Sequence, residues 1–385
     1  MHEKSIWLSR EFDKPLVTAS YFGFRPIETP RVSKEDIVLR EEYGSHPYFD
    51  VAENAAFIRV YLERGLQSEM LPLSVVYKRS SPNRGIDKYS LHFVGSSQGI
   101  ADAMLIRGAL SMLEDFGCKH LVVEINSVGD KESMSSYERE LHSHLRKSMS
   151  DFSETVREQI KKDVFNLFNF DLPETESIRH SAPSPISSLS TQSRSYFKEV
   201  LEYLETLGIE FHLAHELIGN RKFCSQTIFR IREENGSSEN VVAVGHHYSK
   251  LGKRLGLKRE IPMASATVFG THNAQQDTER MKMKIYKDLP KQKFCLVHLG
   301  KEAKMRSLPL LEQLRKERIR VHHSLGKDKI AVQLSSIEGT PVSHLIIVGQ
   351  KEALDGTATV RNVATRAQTT ISINELPLFL KHISL

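Results

Sequence analysis

The sequence predicts an α+β protein in which a large antiparallel sheet flanked by helices precedes a small α/β domain. Three short apolar segments follow one another with turn residues between them, at residues 210–213, 226–232 and 240–245. Consecutive strands joined by short turns are typical of an antiparallel sheet. Beyond residue 291, strand-like and helix-like segments alternate, which indicates a small α/β unit with a mixed sheet. We therefore place one domain at residues 1–285 and a second at residues 291–385.

Helices in the first domain are predicted where apolar residues recur with a 3.6-residue period, at residues 50–63, 101–116, 131–147 and 193–208. Asp130 suits the N-cap of the third helix, and Gly117 suits the end of the second. A helical and loop insertion is expected at about residues 148–192. Within it, the Ser- and Pro-rich run 181–188 favours a loop or hinge.

In the second domain, strands are expected at residues 294–299, 319–322, 344–349 and 357–362, and helices at residues 302–318, 327–336 and 375–382. This alternation is the basis for assigning the domain to the α/β class.

The composition points to a cytoplasmic protein without a membrane partner. Of the 385 residues, 39% are hydrophobic and 26% are charged, as in ordinary globular chains. No apolar run approaches the roughly 18–20 residues that span a bilayer. Three distant cysteines predict neither disulfides nor a metal knuckle, and we expect no metal site. The net charge of +5 is compatible with a polyanionic partner but does not require one.

Five strings match one family in order along nearly the whole chain, at residues 23–30, 125–141, 217–229, 245–251 and 360–365. They resemble the first motif, the strand–turn–helix after the second motif, the histidine-binding string, the G-G-R-Y-D-G-L string and the anticodon-domain turn of histidyl-tRNA synthetases. The resemblance implies a class II synthetase-type sheet and a C-terminal domain resembling the anticodon-binding one. It also implies a homodimer formed through the first motif, and tRNA or another RNA as partner.

The second motif departs from the family pattern F-R-x-E-x-P-x-x-G-R-x-R-E-F. Aligned on residues 77–90, the phosphate-binding arginine becomes Lys78 and the adenine-side glutamate becomes Ser80. An ammonium cannot reproduce the bidentate clamp of a guanidinium. Arg79 and Arg84 lie close enough in sequence to substitute, although solvated loop positions are the more ordinary interpretation for them.

The third motif and the histidine string depart further. The ATP-stacking arginine falls on His272, and a glycine becomes Phe269, whose ring would fill nucleotide space. In the histidine string, the carboxylate-binding arginine becomes Gly219 and the aspartate becomes Lys222, which would repel a histidine imidazolium. Tyr248 matches a family tyrosine.

The helix that faces the ligand's ammonium in the family has also changed. The string R-P-E-x-T becomes residues 50–54, with Ala52 in place of the anionic residue. Arg59 of the same helix is retained. The residual binding candidates are Arg59, Lys78, Arg79, Gly219, Tyr248 and His272.

These losses predict a non-catalytic relative that acts as a binding or regulatory dimer, with no catalytic residue and no cofactor. RNA contact is expected in the C-terminal domain at Arg315, Arg318, Arg320 and Lys327. One alternative is a divergent active histidine–tRNA ligase, which would need ATP and Mg. A second is a regulatory subunit of ATP phosphoribosyltransferase, although that relative resembles the catalytic domain alone and senses histidine.

Overall fold

The computed structural model of the chain describes residues 9, 11–43, 50–68, 71–81, 86–169, 172–220, 222–235, 238–271 and 285–383. Within these residues, no helix combines the length and the apolar character needed to cross a membrane.

The first part of the chain folds into nine helices and eight strands within the described residues, not counting short 3-10 turns. In chain order they are α1 (Lys14–Tyr21), β1 (Arg25–Pro26), α2 (Lys34–Tyr43), α3 (Val51–Glu63), β2 (Leu73–Ser81), β3 (Ile86–Val94), α4 (Ile100–Asp115), β4 (Leu121–Gly129), α5 (Lys131–Arg146), α6 (Glu154–Lys162), α7 (Pro173–Ser181), α8 (Thr191–Thr206), β5 (Phe211–Leu213), β6 (Ser225–Asn235), β7 (Ser238–His247), α9 (Ser249–Arg254) and β8 (Met263–Thr271). The capping carboxylates of Asp50 and Asp130 accept backbone N–H bonds in the first turns of α3 and α5.

These strands form one sheet in the order β1-β2-β3-β8-β7-β6-β4-β5. Neighbours are antiparallel except at the two edges, where β1 runs parallel to β2 and β5 runs parallel to β4. The predicted antiparallel pairing of residues 210–213 is therefore wrong. The cause is the connection through α8, since a crossover helix returns the chain in the same direction as β4.

The two faces of the sheet bury different cores. Helices α1, α4 and α8 cover one face, which we call the α4 face, and contribute to a core that includes Leu91 and Val268. Helix α3, the insertion and α9 cover the other face, which we call the α3 face, over Tyr77 and Met263. Because side chains alternate along a strand, consecutive residues belong to opposite cores.

The insertion is more regular than expected. Helices α6 and α7 flank a 3-10 segment at Val164–Asn169, and residues 185–188 of the predicted loop form a second 3-10 turn. The ring of Phe165 packs on that of Tyr137 in α5, with centroids 5.7 Å apart. Apolar burial therefore holds the insertion on the α3 face.

Over residues 285–383, which the structure describes, the C-terminal domain is a five-stranded mixed sheet in the order β10-β9-β11-β12-β13 with four helices. Its elements are β9 (Phe294–His298), α10 (Lys301–Lys316), β10 (Val321–His323), α11 (Ile330–Ser335), β11 (His344–Val348), α12 (Gln350–Asp355), β12 (Thr357–Asn362), β13 (Gln368–Ser372) and α13 (Leu376–His382). This architecture confirms the predicted fold class.

The C-terminal domain packs on the α4 side of the larger sheet. The ammonium of Lys304, in a side chain that is 4% exposed, donates to Gln98 Oε1 at 2.7 Å and pairs with Asp328. The guanidinium of Arg315 reaches Glu114 Oε2 at 3.1 Å. A continuous core joins the two sheets, so the C-terminal domain is not a loosely tethered module.

Candidate functional site

Four segments that align with the family's motifs meet on the α3 face of the larger sheet. Asn54 of helix α3 lies over the strands, and β2 contributes Tyr77. The loop before β6 contributes Phe223, and Tyr248 follows the end of β7. The register places His92 on the same face, because it pairs with Val75, two residues before Tyr77. The sequence motifs therefore converge on one place.

That place is filled by side chains, which we call the aromatic cluster: Phe57, Tyr77, His92 and Tyr248. The imidazole of His92 stacks on Phe57 with centroids 4.0 Å apart. Its Nδ1 lies 2.7 Å from the Tyr248 hydroxyl, and its Nε2 lies 3.2 Å from the Tyr77 hydroxyl. All four side chains are at most 1% exposed, so the cluster has no open surface.

Burial decides the protonation of the aromatic cluster. It lowers the pKa of His92 to about 3, so the ring is neutral at physiological pH. Burial also raises the pKa of Tyr248 far above its ordinary value. A neutral imidazole has one donor and one acceptor nitrogen, which the two tyrosine hydroxyls can satisfy. The cluster is therefore a satisfied polar core.

A second histidine extends this packing. His246 Nε2 lies 2.9 Å from the amide nitrogen of Asn54, and its ring makes an edge contact with Phe223 at 5.6 Å. Both His246 and Asn54 are buried. Two polar side chains from α3 and β7 thus bond to each other at the point where these elements meet.

A partly exposed group of charges borders the aromatic cluster; we call it the ion cluster. Glu53 of α3 has its carboxylate 3.6 Å from Arg79 Nε and 3.6 Å from Lys88 Nζ. The ammonium of Lys88 lies over the ring of Phe269, 5.9 Å from its centroid. The register puts Arg79, Lys88 and Phe269 on the α3 face. Here the sheet carries positive charge, and Glu53 already neutralises part of it.

Lys78, by contrast, lies on the α4 face. Its ammonium pairs with Asp13 at 3.1 Å and Asp87 at 2.7 Å, and these acids raise its pKa although burial opposes the shift. Side-chain alternation along β2 thus separates Lys78 from Tyr248, which the sequence alignment had placed in one site. Arg79 occupies the position on β2 that faces the site.

The remaining candidates are dispersed. Arg59 pairs with Asp36 of α2 at 3.0 Å and with Glu63 of its own helix at 3.4 Å, so it braces two helices. Gly219 has φ +67°, a left-handed conformation that an arginine would adopt only with strain. His272 lies outside the described residues.

The four residues predicted to contact RNA differ in their exposure and in their partners. Arg315 is held by Glu312 and Glu114, and Lys327 is buried. The guanidinium of Arg320 donates to backbone carbonyls, and burial lowers its pKa to about 10. Arg318 is exposed. Two of the four, Arg318 and Arg320, line one cleft of about 1190 Å³.

His92, which is central to the aromatic cluster, was not among the predicted site residues. Its place there follows from the hairpin register, which pairs it with Val75 and which residue types alone do not give. The pairing of Glu53 with Arg79 was not predicted either. Among the residues that the structure describes, no group of three His, Cys, Asp or Glu side chains is placed to hold a metal ion.

The comparisons with known proteins agree with the fold. A family described as "Anticodon binding domain" matches residues 276–383. The histidine–tRNA ligase of Thermosynechococcus vestitus is 26% identical over 90% of this chain and 82% of its own length. That of Anoxybacillus flavithermus is 24% identical over 92% of this chain and 86% of its own length. The solved structure of apo S. aureus histidyl-tRNA synthetase aligns with a TM-score of 0.52 at 20% identity, over 94% of this chain and 92% of that chain, which shows a shared fold.

Proposed function

The chain belongs to the histidyl-tRNA synthetase-like family of class II proteins, and we propose that it is a non-catalytic member that acts as an RNA-binding dimer. Adenylation requires an amino acid and a triphosphate to be held together, with their charges neutralised as the reaction proceeds. The site on the α3 face would have to bind both the amino acid and the triphosphate and neutralise their charges.

The observation that carries this proposal is the closed aromatic cluster. A ligand placed among Tyr77, His92 and Tyr248 would have to displace fully buried rings and break the hydrogen bonds of His92. Protein interiors are close-packed, so such displacement costs both contacts and polar satisfaction. The position where the family's motifs converge is therefore unsuited to hold an amino acid.

The ion cluster favours a second candidate, a divergent histidine–tRNA ligase. Arg79 faces the site, its side chain is 24% exposed, and its nearest acid is 3.6 Å away rather than in close contact. Released from Glu53, its planar guanidinium could bind phosphate oxygens. The histidine–tRNA ligase relatives named above support this candidate.

Histidine-dependent exchange of pyrophosphate into ATP separates the two candidates. We expect exchange at least about 1,000-fold below that of the Anoxybacillus flavithermus ligase, because losing even one electrostatic contact to the transition state costs about 100–1,000-fold. Exchange within about tenfold of that control, abolished by Arg79→Met and unaffected by Arg361→Met in the C-terminal domain, would refute the non-catalytic proposal.

We place the RNA contact at the cleft between α13 and the end of α10. Three exposed cations border it, Lys291, Lys293 and Arg318, around an apolar floor that includes Phe379. Clustered cations release counterions from a phosphate backbone, and an aromatic floor accepts a base. The retained C-terminal domain also argues against the phosphoribosyltransferase-subunit alternative.

Binding of unfractionated tRNA, followed by fluorescence anisotropy at several salt concentrations, tests this contact. The triple variant Lys291→Ala, Lys293→Ala, Arg318→Ala should bind at least tenfold more weakly, and its logarithmic salt slope should fall by up to about three. Lys351→Ala, an exposed position on α12, is the matched control. Equal affinity of the triple variant and the wild type would exclude this cleft.

The dimer would form along β1, which ends the larger sheet and, among the residues that the structure describes, has a hydrogen-bonded neighbour on one side only, β2. Open strand edges are ready to pair with a second chain. Light scattering coupled to size-exclusion chromatography should give the mass of two chains, and a mass of one chain at micromolar concentration would contradict the dimer.

A further inference from the structure

A large polar cavity lies beside the end of β7, and no residue of the aromatic cluster or the ion cluster lines it. It has a volume of about 1380 Å³ and is walled by α8, the start of α5, the start of β6, α9 and Lys301 of the C-terminal domain. His247 lines it, and the register pairs His247 with Ala264 of the α4-face core. The cavity is therefore separate from the aromatic cluster, although Ser225, Gln226 and Lys250 belong to segments that carry the family resemblance.

One wall presents a lysine without an ion pair. Lys250 is half-buried, and among the described residues no carboxylate lies within salt-bridge distance of its ammonium. Burial lowers its pKa, because a desolvated ammonium lacks the water that stabilises its charge. Lys131, the first residue of α5, lines the same cavity and interacts electrostatically with Lys250. Two cations side by side can bind an anionic group.

Acceptors lie in the same cavity. The pairing of β6 with β7 is irregular between Ser225 and Ile228, where β6 bulges, and Gln226 in this stretch has φ +54°. Its side-chain carbonyl oxygen is buried and has no hydrogen-bond partner among the described residues. Bulges of this kind re-aim side chains and are common beside binding sites. Glu260 adds an exposed carboxylate that acts electrostatically on Lys250. A buried carbonyl oxygen and a carboxylate can together accept hydrogen bonds from an amino group.

The far wall is held rigid by buried polar groups. His247 Nε2 lies 2.8 Å from Asp102 Oδ1, and the hydroxyl of Tyr196 donates to the other oxygen of Asp102. Asp102 and His247 are buried, so neither side chain rearranges freely. At the rim, Lys301 pairs with Glu202 at 2.8 Å, which fixes the C-terminal domain against α8. A rigid polar cavity reduces the entropy lost when a small ligand binds.

We propose that this cavity binds a small zwitterion, with its anionic group at Lys250 and Lys131 and its amino group at Gln226 and Glu260. Cations and acids line the cavity in equal number, four of each, so neither a simple anion nor a simple cation neutralises it. A molecule with one charge of each sign satisfies both the unpaired ammonium and the unpaired carbonyl oxygen.

Three matched probes test the proposal by isothermal titration calorimetry: glycylglycine, which carries both groups, N-acetylglycine, which lacks the amine, and glycinamide, which lacks the carboxylate. Glycylglycine should bind saturably, at least fivefold more tightly than either analogue. Lys250→Met should weaken glycylglycine at least tenfold, and Glu260→Gln should weaken it without affecting N-acetylglycine.

Lys253→Met, an exposed lysine on the same helix, should bind glycylglycine like the wild type. So should Arg79→Met, because the ion cluster lies elsewhere, and this result also separates the cavity from any residual site on the α3 face. The proposal is overturned if glycylglycine does not bind, if N-acetylglycine binds equally well, or if Lys250→Met retains wild-type affinity. Circular dichroism shows whether each variant is folded.

Discussion

The stability of the protein should depend on pH through His92, and the variant His92→Gln isolates this dependence. Glutamine keeps a donor and an acceptor for Tyr77 and Tyr248 but does not titrate. Because burial lowers the pKa of His92 to about 3 in the folded chain, while an unfolded histidine titrates near 6.5, the unfolded state binds the extra proton first. Stability from this residue is therefore complete above about pH 6.5 and falls as the pH drops towards 3.

The magnitude follows from the two pKa values. Each pH unit below about 6.5 costs about 1.4 kcal/mol until the folded state also protonates. At pH 5 the folded ring is still neutral, so His92 should remove about 2 kcal/mol of unfolding free energy relative to pH 7. The variant lacks this contribution, although it loses about 1–2 kcal/mol at every pH because the stacking on Phe57 is weaker.

Urea unfolding at pH 7 and pH 5, followed by circular dichroism, measures the difference. The wild type should lose about 2 kcal/mol more than His92→Gln between the two pH values. The exposed His142→Gln serves as the control and should behave as the wild type. Equal losses in wild type and His92→Gln would mean that water reaches the ring, and the aromatic cluster would then not be closed.

Two further substitutions test the packing around the site. Gly245→Ala should destabilise the protein by about 1–3 kcal/mol. The new Cβ would lie 2.2 Å from a ring carbon of Phe229 and 2.8 Å from the carbonyl oxygen of Ser265. Thermal unfolding measures the loss of stability, and an unchanged Tm would contradict this expectation. Lys304→Met should lower the Tm by a few degrees and lower the protection of the C-terminal domain against hydrogen exchange, because the substitution removes the buried cationic partner of Asp328. Unchanged hydrogen-exchange protection of the α10 amides would contradict this expectation.

Much of the fold could be predicted because the local sequence patterns for helices and strands agree with the structure that these segments adopt in the folded chain. Helices α4 and α5 begin and end within one or two residues of expectation, since each has a sharp apolar period and a clear cap or stop. Helix α2 was missed because it is mostly charged and buries little apolar surface. Strand β13 is largely exposed and rich in threonine, so no alternation marked it.

The site was harder to predict because its composition depends on which face each residue occupies. The motif alignment matched Lys78 to a phosphate-binding arginine, yet a one-residue difference on a strand moves a side chain to the opposite face. Residue types such as Gly219 and Phe269 predict that ligand-binding groups are replaced. The closure of the aromatic cluster could not be predicted from residue types, because it requires the hairpin register that brings His92 to Tyr77.

The α3 face has an inner half of buried aromatic side chains and an outer half of charged side chains. On β2 and β3 the inner half holds Tyr77 and His92, and two residues further out the same strands carry Arg79 and Lys88. An adenylating enzyme needs both halves, because the amino acid and the nucleotide must meet between them. The outer half still has positive charge, but a phosphate drawn there would find no amino acid beside it while the inner half is closed. On the non-catalytic function proposed above, adding charges alone should therefore not produce adenylation; the buried rings would have to be removed as well.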